Sequence, residues 1–176
     1  LKPLVRARSE AQRTFVGFSV GDIAYALDVA YVVQIINPVP IDLLPYLPHA
    51  VIGVADFRGV VVPIIDLRQR FNLGPADEGR PKWLVVRSGQ AVGALIVDDV
   101  QDVFGVPLSE IRPAPRVGDD DQRGLGGVLQ HRGRMTFVLD LTKLQPLLEA
   151  AEGQPAAMFE GPLPRPLDDG RRRGRA

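Results

Sequence analysis

Gly53-Val54-Ala55-Asp56-Phe57-Arg58-Gly59-Val60-Val61-Val62-Pro63-Ile64-Ile65-Asp66-Leu67 recurs 74 residues further on. The second copy reads Gly127-Val128-Leu129-Gln130-His131-Arg132-Gly133-Arg134-Met135-Thr136-Phe137-Val138-Leu139-Asp140-Leu141. Aligned without a gap, Gly, Val, Arg, Gly, Asp and Leu coincide. A weaker echo lies upstream at an offset of 68, where Gly21, Ala26, Leu27, Val29 and Val32 match Gly89, Ala94, Leu95, Val97 and Val100. Two copies of a unit of about 70 residues are too few, and each too long, for a solenoid. They predict two similar small subdomains packed against each other, with function on the crevice between them or on exposed strand edges.

Working outward, the chain reads as short strands. Phe15 to Val20 leads into the turn Gly21-Asp22, and Ile23 to Leu27 returns as the second strand of a hairpin. Tyr31 to Ile36 is β-branched and apolar, and Asn37-Pro38-Val39-Pro40 ends it, because proline lacks the amide a ladder needs. Ile52 to Asp56 and Val60 to Asp66 flank Arg58-Gly59 as another hairpin, and Leu67 to Phe71 allows one helical turn. Residues 72–81 form a connector rich in Gly, Pro and charge. Trp83 to Val86, Ala91 to Val97 and Val100 to Phe104 repeat the strand pattern of the first half. Ile111-Arg112-Pro113-Ala114-Pro115 is held extended by its prolines. An acidic, Gly-rich loop at 116–126 precedes the repeated hairpin, and Thr142 to Glu152 is expected as a short C-terminal helix with Thr142 as its N-cap. Residues 1–12 read as a polar arm and 153–176 as a Pro/Arg-rich disordered tail.

Composition bounds the function. The 176 residues contain 21 basic and 21 acidic side chains and no cysteine. That leaves no disulfide framework and no thiolate metal site, and none of the basic excess of a general nucleic-acid binder. No apolar run approaches the roughly 20 residues of a membrane-spanning helix, and Leu1 to Arg13 is too polar and mixed in charge for a signal peptide. His49 and His131 stand alone without metal-ligand spacing and read as surface or loop histidines. Asp119-Asp120-Asp121 lacks the spaced ligands and closing Glu of a calcium loop. Asp98 and Asp99 point to opposite faces of a strand, which suits no paired-carboxylate chemistry. There is no nucleophile elbow, phosphate loop or dinucleotide fingerprint. Binding through surfaces, without catalysis, cofactor or metal, is the expectation.

The segment Gly53 to Arg68 resembles the signature of the CheW-like chemotaxis coupling protein family: G-V-x-N-L-R-G, then a β-branched run ending P-[VI]-[IV]-D-L-R. Phe15 to Leu27 resembles that family's opening hairpin, and Val32-Val33-Gln34-Ile35 its V-x-E-I strand. Ile111 to Pro115, and Gly124-Leu125-Gly126 before the last hairpin, resemble further family segments. The likeness covers residues 13–150. It implies an all-β fold of two pseudo-symmetric SH3-like five-stranded barrels with short helical turns and a C-terminal helix. The first barrel would span about residues 20–79, and the second about 80–142 with the N-terminal strand. The family's role implies a non-enzymatic cytoplasmic adaptor at membrane-associated arrays, bridging chemoreceptor tips and the regulatory domain of the histidine kinase CheA. A module that binds one of the two partners and acts as a decoy is the alternative.

Two departures from the pattern bear on partner choice: Gln34 stands where the family has Glu, and Asp56-Phe57 where it has Asn-Leu. Asp56 shares a strand face with Arg58 and could supply the carboxylate that Gln34 lacks. The receptor surface is expected to be lined by Gln34, Ile35, Gly53, Asp56, Phe57 and Arg58. Ile35 and Phe57 would form its apolar floor, and Arg58 its clamp. Val86, Gly93, Leu95 and Val97 are candidates for kinase contact, with simple core packing as their other reading.

Overall fold

The computed structural model describes residues 10–76, 79–115 and 124–151. Most of the N-terminal arm, most of the acidic loop with Asp119 to Asp121, and the tail at 153–176 lie outside the described residues. Among the described residues the strands are β1 (Gln12–Val20), β2 (Ile23–Asp28), β3 (Val32–Ile36), β4 (Val51–Phe57), β5 (Val60–Asp66), β6 (Lys82–Ser88), β7 (Ala91–Val97), β8 (Asp99–Pro107), β9 (Leu125–His131) and β10 (Arg134–Leu139). They form two five-stranded sheets, β8-β1-β2-β10-β9 and β3-β6-β7-β5-β4. Every pairing is antiparallel except β2 with β10 and β5 with β7.

The two sheets match residue by residue. Val138 pairs with Ala26 in one, and Ile64 with Ala94 in the other. The register shift between Val51 and Gly53 on β4 has its counterpart where β9 meets β10, between the pairs Val138–Gly127 and Leu139–Leu125. A second shift, between Val32 and Gln34 on β3, corresponds to the one between Val16 and Phe18 opposite β8. Shifts of this kind mark β-bulges, which bend a strand. The sequence offsets of 74 and 68 are therefore structural equivalences.

The shared residues of the repeat now have reasons. A Cβ on Gly53 would lie 2.4 Å from Ile41 Cγ2 and 2.6 Å from the Asp42 carbonyl oxygen. On Gly127 it would lie 3.0 Å from both Ile111 Cγ2 and the Arg112 carbonyl oxygen. In each copy a crossing segment lies on the glycine and bonds the following valine, Asp42 with Val54 and Arg112 with Val128. Arg58-Gly59 and Arg132-Gly133 are two-residue hairpin loops with positive φ at both positions, 54° and 80°, then 50° and 73°. That is the backbone of a type I′ turn, whose twist matches its strands. Asp66 and Asp140 accept from the N–H two residues on, starting a helical turn, and Leu67 and Leu141 after them are fully buried.

Three expectations need correction. The sheets do not close as barrels: neither β8 with β9 nor β3 with β4 is paired, so both are open. Nor does the chain divide near residue 80. β3 leaves β2 to join β6, and β8 leaves β7 to join β1, so the halves exchange a two-stranded hairpin, β1–β2 for β6–β7. The C-terminal segment is not one helix but a 3-10 turn (Leu141–Leu144), one α-helical turn (Gln145–Leu148) and a second 3-10 turn (Glu149–Ala151). Its cap is Asp140, not Thr142, as the match to Asp66 requires.

A shared core fills the space between the sheets. Leu84, Val86, Leu95 and Val97 of one meet Val16, Phe18, Tyr25 and Leu27 of the other, together with Leu141, Leu144 and Leu148. Each sheet also curls around a smaller core of its own: Val62, Ile64, Trp83, Val85 and Ala94 in one, Phe15, Ala26, Val106, Leu129 and Val138 in the other. Fully burying one such aliphatic or aromatic side chain contributes about 1.5–3 kcal/mol. Along the two repeated hairpins Val54, Val62, Ile64 and Leu139 are buried, while Val128 and Phe137 are half-buried.

Candidate functional site

Where the edges of each open sheet approach one another, side chains span the gap at the tip of the repeated hairpin. In the first repeat the turn between β4 and β5 displays Arg58, whose guanidinium donates to the Gln34 side-chain oxygen on edge strand β3. The same guanidinium lies 5.0 Å from the centroid of the Phe57 ring, a cation–π distance. Phe57 and Ile36 are half-buried against the inner core of this sheet. This seam is neutral on the β3 side and open to solvent.

Asp56 does not supply the missing carboxylate. Its Oδ1 accepts the Gly59 N–H at 2.9 Å and braces the turn, and no ion pair joins it to Arg58 among the described residues. Ile35 is 41% exposed but sits on the other face of β3. It pairs with Leu84, which faces the shared core, whereas Ile36 pairs with Trp83 of the inner core. Ile36 therefore takes the place beside Phe57 that was expected of Ile35. Gly53 is buried beneath the segment at Ile41 and Asp42 and lines no surface. Of the six expected residues, the structure brings Gln34, Phe57 and Arg58 together and sets Asp56 at the turn's base.

The second repeat builds the equivalent seam from different chemistry. Asp102 of β8, the counterpart of Gln34, pairs with Arg132 at 3.0 Å and with His131 Nε2 at 3.0 Å. The His131 ring stacks on Phe104 with centroids 3.6 Å apart and planes 8° apart. His131 is thus a partly buried member of a cluster rather than a loose surface side chain. Sequence reasoning passed over Asp102, His131 and Phe104, although the offset of 68 carries Gln34 onto Asp102 and the offset of 74 carries Arg58 onto Arg132. His49, by contrast, is exposed on a loop as expected.

A third cluster ties the two sheets together. Arg68 makes a fork of hydrogen bonds to both Asp98 oxygens, at 2.7–3.1 Å, and donates to the Gly74 and Pro75 carbonyls. Asp98 also accepts the Gly21 N–H at 2.6 Å. The Arg68 hydrogen bonds hold the Asp98 carboxyl below the usual carboxylate range. The Gly21 bond and the Arg68 charge add to this, against the raising effect of burial.

The four residues expected to contact a kinase are enclosed. Val86, Leu95 and Val97 lie in the shared core at 0–1% exposure. A Cβ on Gly93 would meet Leu148 Cδ2 at 2.6 Å. Strands β6 and β7 are covered on both faces, one by their own core and one by the partner sheet, so their apolar runs serve packing. Among its described large apolar side chains the second repeat exposes Val103, Leu108 and Met135, the last beside a recess of about 300 Å³ lined also by Ser109, Glu110, Arg112, Val128, Leu129 and Gln130. Among the described residues no group of three or more His, Cys, Asp or Glu could hold a metal ion, and no helix is long and apolar enough to cross a membrane.

Comparison with known proteins adds to this geometry. The sequence profile of the CheW-like domain matches residues 14–148. The chain is 31% identical to the probable chemotaxis protein CheW of Rhizobium etli over 142 residues, which is 80% of this chain and 92% of that relative. It is 33% identical to chemotaxis protein CheW of Klebsiella aerogenes over 135 residues, 74% of this chain and 80% of the relative. Protein FrzA of Myxococcus xanthus is 28% identical over 152 residues, 86% and 94% of the two chains. Among solved structures, the scaffolding protein TtCheW from Thermoanaerobacter tengcongensis matches with a TM-score of 0.67 at 27% identity, covering 73% of this chain and 89% of that one.

Proposed function

This chain belongs to the CheW-like domain family, and from that premise we propose that it is a non-enzymatic chemotaxis adaptor coupling methyl-accepting chemoreceptors to the histidine kinase CheA. The observation that carries the reading is the first-repeat seam. Arg58 is lifted on a two-residue turn over an aromatic ring, beside an exposed strand edge, with a neutral amide as its partner. Holding a non-glycine residue in left-handed backbone costs about 1–2 kcal/mol, and in exchange the guanidinium is presented to solvent on a rigid support. A planar fork of N–H donors above a half-buried ring suits the polar-rimmed, apolar-floored contact made by a helical hairpin tip.

The receptor face therefore comprises Gln34, Ile36, Phe57 and Arg58, with Asp56 bracing the turn and Ile35 on the adjoining face of β3. For the kinase regulatory domain, with Val86, Gly93, Leu95 and Val97 enclosed, the proposed contact moves to exposed Met135 and the recess beside it. Two separate titrations test the reading, one with a recombinant chemoreceptor-tip hairpin and one with the CheA regulatory domain. The adaptor binds both. Arg58→Ala weakens only the first interaction, and Met135→Arg only the second. Binding of a single partner would make the chain a one-partner module, and binding of neither would overturn the coupling role.

A further inference from the structure

The two seams differ in one electrostatic respect that bears on the partner. At the second, Asp102 neutralises Arg132 within the chain. At the first, the equivalent position holds Gln34, and the nearest carboxylate in the sequence, Asp56, is engaged by the Gly59 N–H. Among the described residues Arg58 forms no ion pair; its contacts are an amide oxygen and a ring face. Both favour a guanidinium without neutralising it. Asparagine and glutamine oxygens accept hydrogen bonds but carry no net charge. A bound partner that covers this seam strips water from a cation with no internal counter-ion. Such burial is costly unless the charge is paired.

We propose that the occupant of this seam is a chemoreceptor-tip segment presenting a carboxylate, Asp or Glu, to Arg58, so that the partner supplies the charge Gln34 does not. This rests on the receptor reading above and adds the chemistry of the contact. Gln34 then acts as a specificity residue. A carboxylate at position 34 would satisfy Arg58 internally, as Asp102 does for Arg132, and would repel the incoming acid. A carboxylate suits the site better than a lone carbonyl, because only Nη2 of Arg58 bonds Gln34 and the planar guanidinium keeps further N–H donors for a two-oxygen acceptor. Placement of charge at an interface sets which partners are rejected as much as which are accepted.

The test uses the full chain and a recombinant receptor-tip hairpin, with each tip Asp and Glu replaced in turn by Asn and Gln, titrated between low and high salt. Gln34→Glu lowers affinity roughly 5- to 30-fold at low salt and flattens its salt dependence, as expected when a pair exposed to screening is lost. One neutralised hairpin shows a loss of similar size, and combining it with Arg58→Gln adds little more, the mark of a coupled pair. A Gln34→Glu chain that binds as tightly as the parent at every salt concentration overturns the proposal, and so does a panel in which no acid couples to Arg58. If Arg58→Ala weakens binding in that case, the seam is still the receptor site and only the acidic contact is wrong. If Arg58→Ala binds as the parent does, the receptor reading falls as well.

Discussion

The Arg58 turn and the Arg132 turn share a backbone, a register and an arginine, yet one is braced shut and the other is left open. At Arg132 an aspartate, a histidine and a stacked phenylalanine tie β9 to β8. At Arg58 a hydrogen bond to Gln34 joins the β4–β5 turn to β3, and the ring beneath the guanidinium, Phe57, belongs to β4 itself. Duplication supplied two equal supports; the side chains across the seam decide which one remains available. Free sheet edges and uncompensated charges are costs for a monomer and assets for a docking surface. Under the proposed function, their coincidence in a single repeat marks the first seam as the docking one.

The largest effect that would break the comparison comes from the glycines beneath the crossing segments. Gly53→Ala meets a side chain at 2.4 Å and a backbone oxygen at 2.6 Å, whereas Gly127→Ala meets its neighbours at 3.0 Å. Overpacking of this kind typically costs about 1–3 kcal/mol, and we expect Gly53→Ala at or above that range and Gly127→Ala at its lower end. Denaturant unfolding of the two variants checks the order. Equal losses would mean that the crossing segments yield to the same extent in both repeats.

Next in size is the clip between the sheets, which has no counterpart because Thr142 stands where Arg68 would be repeated. Asp98→Asn removes a charged hydrogen-bond acceptor and should cost about 1–2 kcal/mol at neutral pH. The Asp98 carboxyl is held below its unfolded value, so its contribution is complete above the ordinary carboxylate range and is lost as pH falls through the folded value. The difference in unfolding free energy between parent and variant should therefore be flat near neutrality and shrink only on strong acidification. A gap that closes already near pH 6 would point to a histidine instead.

Smaller still is the contrast between the seams in stability. Asp102→Ala frees His131 and Arg132 together and should cost about 1 kcal/mol, within the range of partly exposed ion pairs. Gln34→Ala removes one exposed neutral bond and should cost less than about 0.5 kcal/mol. Thermal unfolding of both variants compares them directly. A larger loss at Gln34 would make the first seam the structural one.

How far the sequence disclosed this is itself instructive. The repeat exposed the hairpins because its shared residues are those that backbone geometry dictates: glycine under a crossing chain, Arg-Gly in a left-handed turn, aspartate at a cap. The cut near residue 80 failed because hairpin exchange leaves no local pattern; β3 and β8 look alike whichever sheet they join. The kinase patch failed because β6 and β7 are covered on both faces, and an unbroken apolar run does not tell a covered face from a sticky one. Placing Ile35 beside Phe57 failed because alternation along β3, set just after its register shift, puts Ile36 on the Phe57 side. The resemblance located Arg58, but only the folded seams showed that its charge is unmatched while that of Arg132 is not.

Three titrations test the difference between the seams most directly. Affinity for a receptor-tip hairpin is measured for the parent chain, Arg58→Ala and Arg132→Ala under the same low-salt conditions. The account predicts a loss of roughly 10- to 100-fold for Arg58→Ala, as for truncation of an arginine hot spot, and a change within about twofold for Arg132→Ala, whose charge is already matched by Asp102. Equal losses, or a larger loss at Arg132, would contradict the claim that the neutral seam is the one that docks the receptor.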